Sequence, residues 1–148
     1  MKSVTGKFFE CTCKYEKVQE DGKEKKISET NVVDALSFSE AEARFIEEME
    51  QYISGNFEVT AIKVAPYKEV FLSDNAEDDR WYKATVALIT LDEKTDKEKR
   101  TNVYYLIQAG SLDTAVKNIN EVFSGSMMDY ASIAVTETKI YDVFIHQA

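Results

Sequence analysis

The chain has 148 residues, a hydrophobic fraction of 44%, and a net charge of −9 from 18 basic and 27 acidic residues. That balance excludes a disordered segment and leaves enough apolar side chain for one packed domain or two small halves sharing a core. The charge is spread evenly, −5 over residues 1–74 and −4 over 75–148, so neither half is basic enough to adhere to phosphate backbones generically.

The first element expected is a strand over residues 8–15, where Phe9, Cys11, Cys13 and Tyr15 alternate onto one face. Asp21-Gly22 marks a hairpin turn inside a charged tip, and residues 27–36 form the return strand. Ser39-Glu40-Ala41-Glu42 matches a capping box, with Ser39 as the cap and Glu42 reaching back. Behind it Ala41, Phe45, Met49 and Tyr52 make the buried stripe of a helix, which Gly55 stops. A strand follows over 57–64; Pro66 removes a ladder donor and bends the chain before an extended segment at 67–71. The polar stretch 73–79 is read as a linker.

From there the order repeats. Lys23-Glu24-Lys25-Lys26 returns as Lys97-Glu98-Lys99-Arg100, and the segment 35–41 returns as 109–115, both at an offset of 74. Trp81 to Leu88 mirrors the first strand, 101–109 is the second return strand, and Asp113 takes the place of Ser39 as cap. Ala115, Ile119 and Val122 or Phe123 form the second stripe, ended by Gly125; strands at 132–137 and 140–144 close the chain.

The pattern predicts an α+β fold: a tandem duplication of a β-β-α-β(β) unit, in antiparallel sheets with one helix per repeat. The repeats are 1–74 and 75–148, forming one compact pseudo-symmetric domain. A unit of that length with one helix is only marginally stable alone, so the halves are expected to share a core or a continuous sheet. The strand at 81–89 is apolar on both faces, which points to sheet packing or a self-association surface.

Chemistry is sparse. Cys11 and Cys13 lack further metal ligands apart from His146, and read as reduced packing residues. His146, two residues from the end, is a poor general base, and no nucleophile motif, phosphate loop or dinucleotide fingerprint is present. Asp74, Glu77, Asp78 and Asp79 lack calcium-loop spacing and read as a solvated linker. The aromatic residues Phe8, Phe9, Trp81, Tyr82, Tyr104 and Tyr105 are expected in the core rather than as a base-stacking platform.

The basic tips Lys23, Lys25, Lys26 and Lys97, Lys99, Arg100 are the candidate anion or nucleic-acid contacts. The alternative is that charged hairpin ends serve solubility and discourage edge pairing. No apolar run reaches the roughly 20 residues that span a bilayer, no secretory leader opens the chain, and two cysteines make no disulfide framework. A cytoplasmic protein without cofactor, metal or membrane partner is expected.

The strand-hairpin opening, the Ala-Leu-Ser-Phe-Ser-Glu-Ala-Glu-Ala segment at 35–43 and the closing Ile-Tyr-Asp-Val-Phe at 140–144 together resemble a family of small uncharacterised proteins of gut anaerobes, their phages and mobile elements. The resemblance covers the whole chain, brings no active site, and implies a role in phage or mobile-element biology. The expected function is a non-enzymatic binding module with a protein or nucleic-acid partner. A nucleic-acid-binding accessory protein and an acidic DNA mimic are the alternatives.

Overall fold

The computed structural model describes residues 1–147 and divides them into two compact units. One contains Met1–Thr5 and Pro66–Thr138; the other contains Gly6–Ala65 and the segment from Lys139 onward. The units are therefore not the sequence halves 1–74 and 75–148: the chain passes between them after Thr5, Ala65 and Thr138. The stretch 73–79, expected to link two halves, is instead a loop inside the first unit.

In chain order the strands are β1 (Lys2–Thr5), β2 (Phe8–Val18) and β3 (Glu24–Asp34), then helix α1 (Phe38–Tyr52), then β4 (Phe57–Val64) and β5 (Tyr67–Leu72). They are followed by β6 (Arg80–Leu91), β7 (Glu98–Ala109), helix α2 (Leu112–Ser124), β8 (Tyr130–Glu137) and β9 (Ile140–Phe144). The α+β class, the two hairpins and both helices match expectation; β1 has too short a pattern to be read from sequence.

The Gly6–Ala65 unit holds a four-stranded sheet in the order β4-β2-β3-β9. Phe9, Cys11, Cys13 and Val33 face α1, whose Ala41, Phe45 and Met49 are buried against them. Tyr52, placed on that stripe by its spacing, is 68% exposed and stacks on Phe144 at 6.0 Å. The last turn has outrun the sheet by then, so its side chain covers an edge rather than filling the core.

The other unit holds a five-stranded sheet, β1-β5-β7-β6-β8. Tyr82, Ala84, Val86, Tyr105 and Ile107 face α2, which buries Ala115, Ile119 and Phe123. The β6 strand is apolar on both faces as read, and Trp81 is buried as well as Tyr82.

Neither sheet is purely antiparallel, contrary to expectation. β5 runs parallel to β7, with Val70 beside Leu106 and Phe71 beside Ile107; β9 runs parallel to β3, with Val32 beside Val143 and Val33 beside Phe144. Each of these strands is reached through a connection of two residues that carries the chain from one sheet to the other. Only Ala65 and Pro66 join β4 to β5, and only Thr138 and Lys139 join β8 to β9.

To complete the sheet that contains β4, β5 would have to take the position beside β3, three strands across, a span of about 14 Å. It would also have to run parallel to β4, which needs a crossover of a dozen or more residues. Two intervening residues reach about 11 Å. β5 therefore cannot fill that position; nor does it turn back as a hairpin on the free edge of β4, but pairs with β7 in the other sheet, as β9 leaves the sheet of β8 for β3.

Helix starts differ from the sequence reading by one frame. Ser37, not Ser39, caps α1: its hydroxyl accepts from the Glu40 N–H at 3.1 Å, and Glu40 Oε1 accepts from the Leu36 N–H at 3.3 Å. Ser111, not Asp113, caps α2 by accepting from the Thr114 N–H at 3.2 Å. Ser37-Phe38-Ser39-Glu40 satisfies the capping-box pattern as well as the frame two residues later does. The earlier frame makes Phe38 helical and sets its ring edge-to-face on Phe9 at 5.1 Å. Gly125 ends α2 as expected.

Candidate functional site

The strongest polar cluster is one that sequence reading missed. Asp34, at the end of β3, is 3% exposed, the rare case of a buried acidic residue in an apolar run, Val32-Val33-Asp34-Ala35. Its Oδ1 accepts from the backbone N–H of His146 at 2.8 Å and lies 3.0 Å from His146 Nδ1. Its Oδ2 accepts from the Gln147 N–H at 3.0 Å. The Arg44 guanidinium donates to the Asp34 carbonyl at 2.5 Å and stands 3.6 Å from its carboxylate, while also pairing with Glu40 at 3.2 Å.

His146 bridges onward, with Nε2 3.1 Å from Glu48 Oε1. The solitary histidine is thus a clasp between β3, α1 and the end of β9. A buried carboxylate must be satisfied by partners, and Asp34 spends its oxygens on the segment that follows β9. The five-stranded sheet has a neutral version of the same contact: Gln108 Oε1 accepts from the Ser73 N–H at 3.0 Å, just after β5.

Two other core positions carry polar groups. Asn31 is 1% exposed, and its Nδ2 lies 3.6 Å from Met49 Sδ. Beside it, burial raises the Glu29 carboxyl, a hydrogen bond from Asn31 opposes that shift, and nearby Asp142 adds to it. Tyr105, 74 residues beyond Asn31, lies between Phe71 and Phe123, and its buried hydroxyl has no hydrogen-bond partner. Such an orphaned hydroxyl costs about 1–3 kcal/mol.

The candidate contact surface lies at an edge. Among the described residues β4 has a strand neighbour on one side only. Between that strand and the first turns of α1 is a groove of about 440 Å³, lined by Phe38, Ser39, Glu42, Val59 and Ile62 among others. Phe38 is 52% exposed there, and Leu36 just before it is 82% exposed. In the other unit the same place, between β8 and the start of α2, carries exposed Leu112 and Val116. The sequence signal was available: apolar residues on either side of a helix cap, outside the buried stripe.

The six basic tip residues are all exposed. Lys23, Lys25 and Lys26 end the β2–β3 hairpin, and pairing sets Lys25 opposite Lys17. Lys97, Lys99 and Arg100 end the β6–β7 hairpin, in the other unit. Each tip also carries acids; a hydrogen bond to Glu16 raises the Glu24 carboxyl at the first tip. The aromatics do not form a platform beside them. Phe8, Phe9, Trp81, Tyr82 and Tyr105 are at most 3% exposed, and the Lys83 ammonium lies 4.5 Å over the Tyr104 ring.

Cys11 and Cys13 are free and buried, as the alternation implied. The acidic stretch 73–79 is an ordered turn. The Ser73 hydroxyl donates to Asp78 and accepts from the Asn75 N–H, and Asn75 Oδ1 accepts from the Glu77 N–H. Gly110 lies under it, where a Cβ would meet the Glu77 carbonyl at 3.0 Å. Among the described residues no group of three His, Cys, Asp or Glu side chains is placed to hold a metal ion, and no helix is long and apolar enough to cross a membrane.

Comparison with known proteins adds the family alone. Neither a curated protein nor a solved structure matches the chain. With the match extending over residues 7–147, nearly the whole of both units, the chain belongs to the DUF4494 family, a domain of unknown function.

Proposed function

We propose that the chain is a fused pair of one β-β-α-β-β unit acting as a non-enzymatic binding module, with edge strand β4 as its docking edge. The duplication is supported by matched details at fixed offsets. Ser37 and Ser111 cap the helices, the two-residue connections lie at 65–66 and 138–139, and Asp34 and Gln108 each hold a backbone N–H within two residues of the end of a delivered strand. Each half gives its last strand to the other's sheet, as two copies would before their fusion.

The observation that carries the binding reading is the groove between β4 and the start of α1. An extended peptide added to β4 would find main-chain partners along the edge and apolar surface at Phe38, Val59 and Ile62. Glu42 in the groove favours a basic residue on that peptide. The buried charges near it are spent on structure, since Asp34 and Arg44 hold the segment after β9.

Selection of random peptides on the immobilised full chain tests this reading. Basic, extended binders are expected, weakened at least tenfold by Glu42→Lys or Phe38→Ala and indifferent to Leu112→Ala. Binders indifferent to both groove changes reject the edge. Turnover across a hydrolase and transferase substrate panel rejects the non-enzymatic reading.

A second reading, nucleic-acid contact in a mobile-element setting, is favoured by the exposure of all six tip residues and by Lys17 joining Lys25 across the first hairpin. It predicts salt-sensitive binding of single-stranded DNA or RNA that is lost on reversing Lys25, Lys26, Lys99 and Arg100. An absence of binding at low salt disposes of it.

A further inference from the structure

β9 completes the sheet of β2, β3 and β4 from the far end of the chain, after the strands of the other unit. It follows β8 by two residues, lies on the edge of the four-stranded sheet, and is held by three register pairs on β3: Thr30 with Ile140, Val32 with Val143, and Val33 with Phe144. Its end is fastened by the Asp34 carboxylate, which takes the His146 and Gln147 N–H groups, and by Glu48 on His146 Nε2. Every one of these acceptors belongs to Gly6–Ala65, and every donor to the segment after Lys139.

That division gives the segment a specific alternative home. A second copy of this chain presents the same β3 edge, the same Asp34 and the same Glu48. Each bond broken by lifting the segment off is remade on the other copy. The net difference is then confined to the connection at 138–139 and to concentration. Short connections of this kind are those that promote exchange. The chain already makes such a transfer internally: β5, after an equally short connection, completes the sheet of β7.

We propose that residues 139–147 exchange reciprocally between two copies of this chain, so that each copy's Gly6–Ala65 sheet is closed by the other's β9. The partner recognised by the β3 edge is thus a second molecule of the same protein, and the Asp34–His146–Glu48 clasp is the part that selects the segment.

Two full-length variants, Thr30→Cys and Ile140→Cys, provide the test, because 30 and 140 are register partners on β3 and β9. They are mixed at high concentration, warmed towards the unfolding midpoint, cooled and oxidised. A covalent species at twice the 16.9 kDa chain mass is expected on a non-reducing gel. It should exceed by at least tenfold that from a control mixture of Lys94→Cys with Ile140→Cys, since Lys94 lies in the turn after β6. Equal yields from the two mixtures overturn the proposal.

A measurement without substitutions guards against a variant that fails to fold. Tagged and untagged chains taken through the same cycle should give a mixed dimer that survives dilution for hours. No mixed dimer, or one that dissociates at once on dilution, also overturns the proposal.

Discussion

Cys11 and Cys13 lie on the helix-facing side of β2, where burial raises the Cys11 thiol from its ordinary 9.0 to about 12 and the Cys13 thiol to about 11. Glu10 and Glu42 add to the first shift, and Glu29 to the second. The folded chain keeps both protons where the unfolded chain has begun to release them. Their contribution is therefore complete below pH 9 and declines as pH rises from 9 towards 11 and 12. The urea midpoint should fall between about pH 8.5 and 10.5 in the natural chain, and fall less in Cys11→Ala/Cys13→Val. At pH 7 the double variant should lose no more than about 1.5 kcal/mol, because Ala84 and Val86 fill the matching places under α2. An equal alkaline decline in both proteins would assign the loss to other groups. The packing role of these cysteines was readable from alternation alone. Asp34 was not, because its partners Arg44 and His146 lie 10 and 112 residues away and strand period carries no record of them.

At the scale of single elements, helices and strands were readable because buried faces impose their periods, and Ala41-Phe45-Met49 and Ala115-Ile119-Phe123 are the faces found. Starts were less readable, since Ser37 and Ser39 both precede a glutamate by three residues and pattern cannot choose between them. The geometry chooses Ser37, and the choice is measurable. Ser37→Ala should destabilise its unit by about 1 kcal/mol in urea unfolding, with Ser111→Ala matching it in the other unit. Ser39→Ala and Asp113→Ala should change stability by less than about 0.5 kcal/mol. The reverse ranking would return the caps to the later frame. Strand direction was beyond the sequence reading for a different reason. Hairpins enforce antiparallel neighbours locally, but the parallel pairs β3–β9 and β5–β7 join segments far apart in the chain.

For the molecule as a whole, the proposed repeat and the compact unit are different objects, because β5 and β9 each pair outside the sheet of the strand before them. A strand reached through Ala65 and Pro66 has too little chain to cross to the far edge beside β3, and it does not fold back on β4; β5 goes to β7 and β9 goes to β3. The proline was legible as a bend; its consequence depended on strand order, which no local pattern encodes. The topology makes a direct prediction about a cut chain. A protease site placed in the loop at 73–79 lies between β5 and β6, so cleavage leaves β1 and β5 on one fragment and β6 to β9 on the other. The five-stranded sheet then contains two strands from the first fragment and three from the second, while the four-stranded sheet contains three from the first and β9 from the second. The fragments should elute together in dilute buffer at the mass of the intact chain and separate only in denaturant. Had 1–74 and 75–148 each closed its own sheet, the cut would sever the ladder of neither, and no shared strand would oppose separation. Fragments that part on dilution would therefore remove the exchanged strands from the account, and with them the reason for expecting β9 to cross to a second copy.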